Sequence, residues 1–127
     1  MMGELAGYRL LLVEDEFLVA RHIMAVLRQL GAVPVGPVPD VTGAQAALAR
    51  ETVDAALLDI RLAAGDVFAF ADALAEQGMP FVFVTGYDGA QLPARFAGRP
   101  LVEKPVEAPE LCAGLCRVLP AAPADGG

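Results

Sequence analysis

Five side chains in this sequence stand where they could do chemistry together: Glu14, Asp15, Asp59, Thr85 and Lys104. Each closes or directly follows a short, largely apolar run: Tyr8 to Val13, Val53 to Leu58, Pro80 to Val84 and Pro100 to Glu103. Such runs read as strands, and the one ending at Asp59 is apolar enough to be covered on both faces. Carboxylates gathered at one spot repel, by about 4 kcal/mol per pair at ~4 Å and an effective dielectric near 20. A hard divalent cation offsets this, and Mg²⁺ takes one or two carboxylates together with waters and phosphate oxygens. With Lys104 as a further positive charge and Thr85 as a hydroxyl donor, the set suits phosphoryl transfer with Asp59 as the nucleophile.

Those strands need helices between them. From Phe17, apolar residues at Leu18, Ile23, Val26, Leu27 and Leu30 keep helical spacing until Gly31, with Asp15 or Glu16 available as a cap. Val33 to Val38 carries Pro34 and Pro37, which limits it to a short or edge strand. Asp40 offers an N-cap to an alanine-rich helix ending near Arg50 or Glu51. Ile60 to Gly65 reads as a loop, Val67 to Gln77 as a helix stopped by Gly78, and Glu110 to Leu119 as a final helix with Pro109 at its first turn. Tyr87 to Arg99 holds Gly89, Pro93 and Gly98, so any helix there is expected to be short and mobile. Strands alternating with helices specify an α/β domain with a parallel sheet, whose ligands bind outside the carboxyl ends of the strands. All five candidate side chains fall at those ends.

The 127 residues fit one domain, expected over 1–119, with 120–127 as a disordered tail. Although 56% of the residues are hydrophobic, charges interrupt every apolar run before ~18 residues, so no transmembrane span is expected. The opening Met1-Met2-Gly3-Glu4 lacks the basic and apolar segments of a secretion signal, which makes the cytoplasm the expected location. A formal net charge of −7 disfavours nucleic acid and anionic membrane as partners. Cys112 and Cys116, four apart, suit neither a zinc finger nor a redox Cys-x-x-Cys and read as packing residues. His22, beside Arg21 in mid-helix, reads as a surface or boundary residue rather than a phosphorylated histidine.

The motifs Val13-Glu14-Asp15-Glu16, Leu58-Asp59-Ile60-Arg61-Leu62, Thr85-Gly86 and Lys104-Pro105, in this order, resemble the receiver domain of bacterial two-component response regulators over nearly the whole chain. The resemblance implies a flavodoxin-like (βα)5 three-layer sandwich of strand order 2-1-3-4-5 with a short or mobile fourth helix. It implies that Asp59 accepts a phosphoryl group from a sensor histidine kinase or histidine phosphotransfer protein. Mg²⁺ would be held by Glu14, Asp15, Asp59 and the Arg61 backbone carbonyl. Thr85 would turn toward the phosphoryl group, Lys104 would pair with it, and the Lys104-Pro105 bond would be cis. The implied role is a signalling switch acting through protein contacts with an unknown downstream target. It is not an enzyme beyond self-phosphorylation from a phosphodonor and autodephosphorylation.

Phe81 to Tyr87 is similar to a subgroup, commonly stand-alone receivers, whose fourth strand ends Phe-Ala-Thr-Gly-Tyr. The sequence also departs from the common pattern: Leu101 stands where many receivers carry an aromatic switch residue, and Val106 where Phe often follows Lys-Pro. Arg61 and Tyr87, each two positions beyond an active-site residue, are expected to modulate the phosphoryl lifetime. Two other readings stay open. One is an aspartyl-phosphate phosphatase, disfavoured because Arg61 occupies the place of that class's second aspartate; the other is a degenerate receiver acting as a phosphorylation-independent interaction module.

Overall fold

The structure is a computed structural model that describes residues 3–86 and 92–124. Strands β1 (Arg9–Val13), β2 (Val33–Val38), β3 (Ala55–Asp59), β6 (Phe81–Thr85) and β7 (Leu101–Glu103) form one parallel sheet of order β2-β1-β3-β6-β7. This is the order expected for the five main strands. Helices α1 (Phe17–Gln29), α2 (Val41–Arg50), α3 (Phe68–Glu76) and α4 (Ala108–Cys116) cover its two faces.

Side chains alternate across a strand, so each strand feeds two cores. Leu10, Leu12, Leu57, Val82 and Val84 pack with Ile23 and Leu27 of α1 and Leu111 and Leu115 of α4. Leu11, Val13, Leu58, Phe81 and Phe83 pack on the other face with Ala44 and Ala47 of α2 and Phe70 and Leu74 of α3. The result is three layers with every residue of β3 buried. β2, with its two prolines, is an edge strand. The chain leaves α1 through Gly31 at φ 90°, in the left-handed region that glycine enters without a Cβ clash. Asp40 caps α2, its Oδ1 accepting the Gly43 N–H at 2.8 Å.

Several boundaries differ from the expected ones. The stretch expected as a loop after Asp59 contains an antiparallel ribbon, β4 (Arg61–Leu62) with β5 (Gly65–Asp66). The last helix ends at Cys116 and starts two residues before Glu110, the early start being possible because Pro109 fits inside the first helical turn, where its missing N–H is not needed. In the region expected to hold a weak fourth helix, the described residues form a single 3₁₀ turn, Ala94–Phe96. Phe96 is buried against the rings of Phe68, Phe81 and Phe83, with centroid separations of 5.8, 6.2 and 5.2 Å. Arg95 makes two hydrogen bonds to Asp72 of α3. Cys112 is buried, but Cys116 is exposed, so only the first acts as a core residue.

Beyond α4 the chain returns to the sheet's amino end. The Tyr8 hydroxyl donates to the Pro120 carbonyl, and the Ala124 N–H donates to Asp54 Oδ1 at 2.6 Å. Asp54, itself buried, also takes the Arg9 N–H on Oδ2 at 2.8 Å. The segment 120–124, set within the expected tail, thus makes long-range hydrogen bonds; 125–127 lie outside the described residues. No helix among the described residues is long and apolar enough to cross a membrane.

Candidate functional site

Because β1, β3, β6 and β7 are successive neighbours in one parallel sheet, their carboxyl ends lie side by side. Glu14 and Asp15 follow β1, Asp59 and Thr85 end β3 and β6, and Lys104 follows β7. Glu14, Asp59 and Thr85 are all buried there. The Lys104 ammonium reaches back across two strands: its Nζ lies 3.0 Å from Glu14 Oε1, 3.4 Å from Asp59 Oδ2 and 3.9 Å from Glu16 Oε1. The Lys104-Pro105 peptide that turns the chain away is cis.

Each acid has a distinct local setting. Glu14 Oε2 accepts the Glu16 N–H at 3.1 Å. Its Oε1 makes an ion pair with Lys104 but has no hydrogen-bond donor aligned on it, an uncommon state for a buried oxygen. Asp15 does not cap α1, and neither does the Glu16 side chain at the cap position. Instead Asp15 Oδ2 accepts the N–H of Ala63, the residue that follows β4. Asp59 Oδ1 takes a long contact, 3.4 Å, from the Arg61 N–H. Both donors are backbone groups and have no side-chain signature in the sequence.

Burial, followed by repulsion from Glu14, pushes the Asp59 carboxyl up to about 7 against the pull of Lys104. Burial works the other way on Lys104, yet the ion pairs with Glu14 and Asp59 prevail and hold its ammonium above the usual lysine range. The site thus carries more negative charge than one lysine balances. Oxygens of Glu14, Asp15 and Asp59 lie within 4.8 Å of one another. An all-oxygen donor set and an excess of carboxylate charge fit a hard divalent cation of the Mg²⁺ type.

The remaining sequence candidates fall around this cluster. Arg61 is exposed on β4. Leu101, 40% exposed, opens β7 beside Phe83 and does not join the acids. Tyr87 lies outside the described residues. His22, exposed on α1, is anchored: its Nε2 lies 2.7 Å from the Val106 carbonyl, just beyond the cis peptide.

No model of a protein family matches the sequence, and no curated protein matches it. Solved structures do. SdrG from Sphingomonas melonis Fr1 superposes with a TM-score of 0.78 at 36% identity, over 92% of this chain and 98% of that one. SdrG in its BeF3-activated conformation, from Pseudomonas melonis Fr1, gives 0.76 at 37% identity, over 91% and 98%. The REC domain of the PhyR response regulator from Erythrobacter litoralis gives 0.70 at 30% identity, over 94% of this chain and 99% of that domain. The chain is a response-regulator receiver domain. The receiver's buried acids, hydroxyl and lysine occupy the carboxyl rim of its sheet, where this doubly wound architecture places ligands. Two depressions flank the receiver's acids beside α1, one lined in part by Phe17 and the other by Leu18, each 74% exposed.

Proposed function

We propose that this receiver is a phosphoacceptor switch in which Asp59 takes a phosphoryl group from a phosphohistidine donor, a sensor kinase or phosphotransfer protein. The observation that carries the reading is Asp59 itself, buried at the sheet rim within 3.4 Å of a lysine ammonium and close to two further acids. An oxygen of the ionised carboxylate bonds to phosphorus as the bond from phosphorus to the donor nitrogen breaks, leaving an acyl phosphate on Asp59 and a neutral imidazole after protonation. Mg²⁺, held by Glu14, Asp15, Asp59 and the Arg61 carbonyl, would supply charge neutralisation at the phosphoryl oxygens. Lys104 balances charge from the opposite side, and Thr85 offers its hydroxyl to a phosphoryl oxygen.

The signal leaves through protein contacts. A receiver of this type is a switch and not a catalyst of external turnover, and Arg61 in place of a second aspartate supports that. The BeF3-activated conformation of SdrG supports the same chemistry, since beryllofluoride mimics a carboxylate-bound phosphoryl group. The test is incubation with Mg²⁺ and a small acyl-phosphate donor, followed by intact mass. One added phosphoryl group is expected in the wild type and none in Asp59→Asn. Absence of the adduct in the wild type would favour a phosphorylation-independent interaction module, and rapid turnover of unrelated phosphoesters a phosphatase.

A further inference from the structure

Cys112 and Cys116 are the chain's only two cysteines, and neither forms a disulfide. Packing explains the first, which is buried, but not the second, which is exposed at the end of α4. Their sulfurs stand together all the same, 3.8 Å apart on one side of the helix. A third polar group joins them from the start of the chain: Glu4 Oε1 accepts the Cys112 thiol hydrogen at 2.9 Å. The backbone beside Glu4 is pinned, since the Leu5 N–H donates to the Leu30 carbonyl at 3.0 Å and the Leu5 side chain is fully buried. This holds the turn at residues 3–7 against the end of α1. Glu4 itself is exposed, and with Leu30, Pro109 and Cys112 it lines a depression of about 410 Å³.

We propose that Cys112, Cys116 and Glu4 form a zinc site, separate from the acids of the sheet rim, that clasps the segment before β1 to α4. A tetrahedral zinc ion with Zn–S bonds of about 2.3 Å sets its two sulfurs about 3.8 Å apart. The two thiols already stand at that separation. The thiol–carboxylate pair has to open from 2.9 Å to about 3.6 Å to share the ion with a Zn–O bond near 2.1 Å, a swing within reach of an exposed side chain. Water completes the tetrahedron, as in zinc sites with three protein ligands. Two zinc–sulfur bonds and one zinc–oxygen bond form, and the two thiol protons pass to solvent. Thiolate donors disfavour Mg²⁺, and the carboxylate favours zinc over a cuprous ion. The cysteine spacing, wrong for a zinc finger, is one helical turn, the spacing by which a helix offers two ligands to one ion. The third ligand lies 108 positions away in the chain, where no local motif reveals it.

The test uses the full chain, freshly reduced, with Mg²⁺ in excess so that the rim carboxylates are engaged by the harder ion. Native mass spectrometry should find one zinc per chain in place of two protons. Co²⁺, used as a coloured substitute, should give a sulfur-to-cobalt charge-transfer band and the visible bands of a tetrahedral ion, and one equivalent of Zn²⁺ should remove both. Cys116→Ser should weaken zinc binding by at least about a hundredfold, beyond the cost of losing a partner that only orients a ligand. Glu4→Gln should weaken it several-fold while keeping the charge-transfer band. Both residues are exposed, so neither substitution opens the core. Glu76→Gln, which alters an exposed acid on α3 across the sheet, should change nothing. Absence of the charge-transfer band, wild-type affinity in Cys116→Ser or in Glu4→Gln, or equal weakening in Glu76→Gln would each overturn the proposal. So would one zinc to two chains, because the ligands would then come from separate molecules.

Discussion

At the scale of single residues, Asp59 is a destabilising group, and the proposed phosphoacceptor role gives a reason for its burial. Its carboxyl is raised to about 7, above the unfolded value near 4, so the folded state binds a proton more tightly between those limits. Stability from this group is full at acid pH and declines as pH rises toward and through 7. Asp59→Asn should therefore stabilise the domain by on the order of 2 kcal/mol at pH 8 and far less at pH 5, as urea titrations at the two pH values would register. A gain independent of pH would mean that the charge is not the cause. The same protonation makes the proposed nucleophile scarce in acid: labelling by an acyl-phosphate donor at limiting Mg²⁺ should climb between pH 6 and 8. Saturating Mg²⁺ should shift that rise to lower pH. The sequence displayed all five rim residues because each follows an apolar run, and strand ends of a parallel sheet must converge. It did not display the pairing of Glu14 with Lys104, which depends on where the ammonium comes to rest.

At the scale of elements, the β4–β5 ribbon fixes Asp15 through the Ala63 N–H. Ala63→Pro removes that donor while leaving every residue of the acid cluster unsubstituted. Mg²⁺ affinity, followed by the cation-induced rise in melting temperature, should weaken by about tenfold, as for other partners that orient a ligand from behind. The melting temperature in chelator should change little. A second element-scale outcome concerns the 3₁₀ turn. Phe96→Ala empties the centre of the aromatic group and should cost about 3–5 kcal/mol in denaturant melts, whereas Arg95→Ala, which breaks an exposed ion pair with Asp72, should cost far less. These elements also mark where sequence reasoning ends. Long periodic helices and apolar strands were legible, but two-residue strands have no periodicity to read. The exit of α4 at Cys116 rather than Leu119 reflects tertiary packing, since Val118 and Leu119 sit beside the core outside any helix.

At the scale of the molecule, Asp54 ties the start of β1 to the segment after α4 by accepting the Arg9 and Ala124 N–H groups on its two oxygens. Asp54→Ala should cost about 1–3 kcal/mol, with Asp54→Asn losing less because one acceptor oxygen remains; chemical denaturation of the two variants gives the comparison. The larger organisation is the sheet as a partition, with α1 and α4 packed on one side and α2 and α3 on the other. Side chains such as Ile23 and Phe70 lie in different cores and share no cluster. The costs of Ile23→Val and Phe70→Leu should then sum to within about 0.5 kcal/mol in the double variant. Independence of this kind lets the two helical layers accumulate substitutions on separate histories, with the five strands alone required to remain acceptable to both.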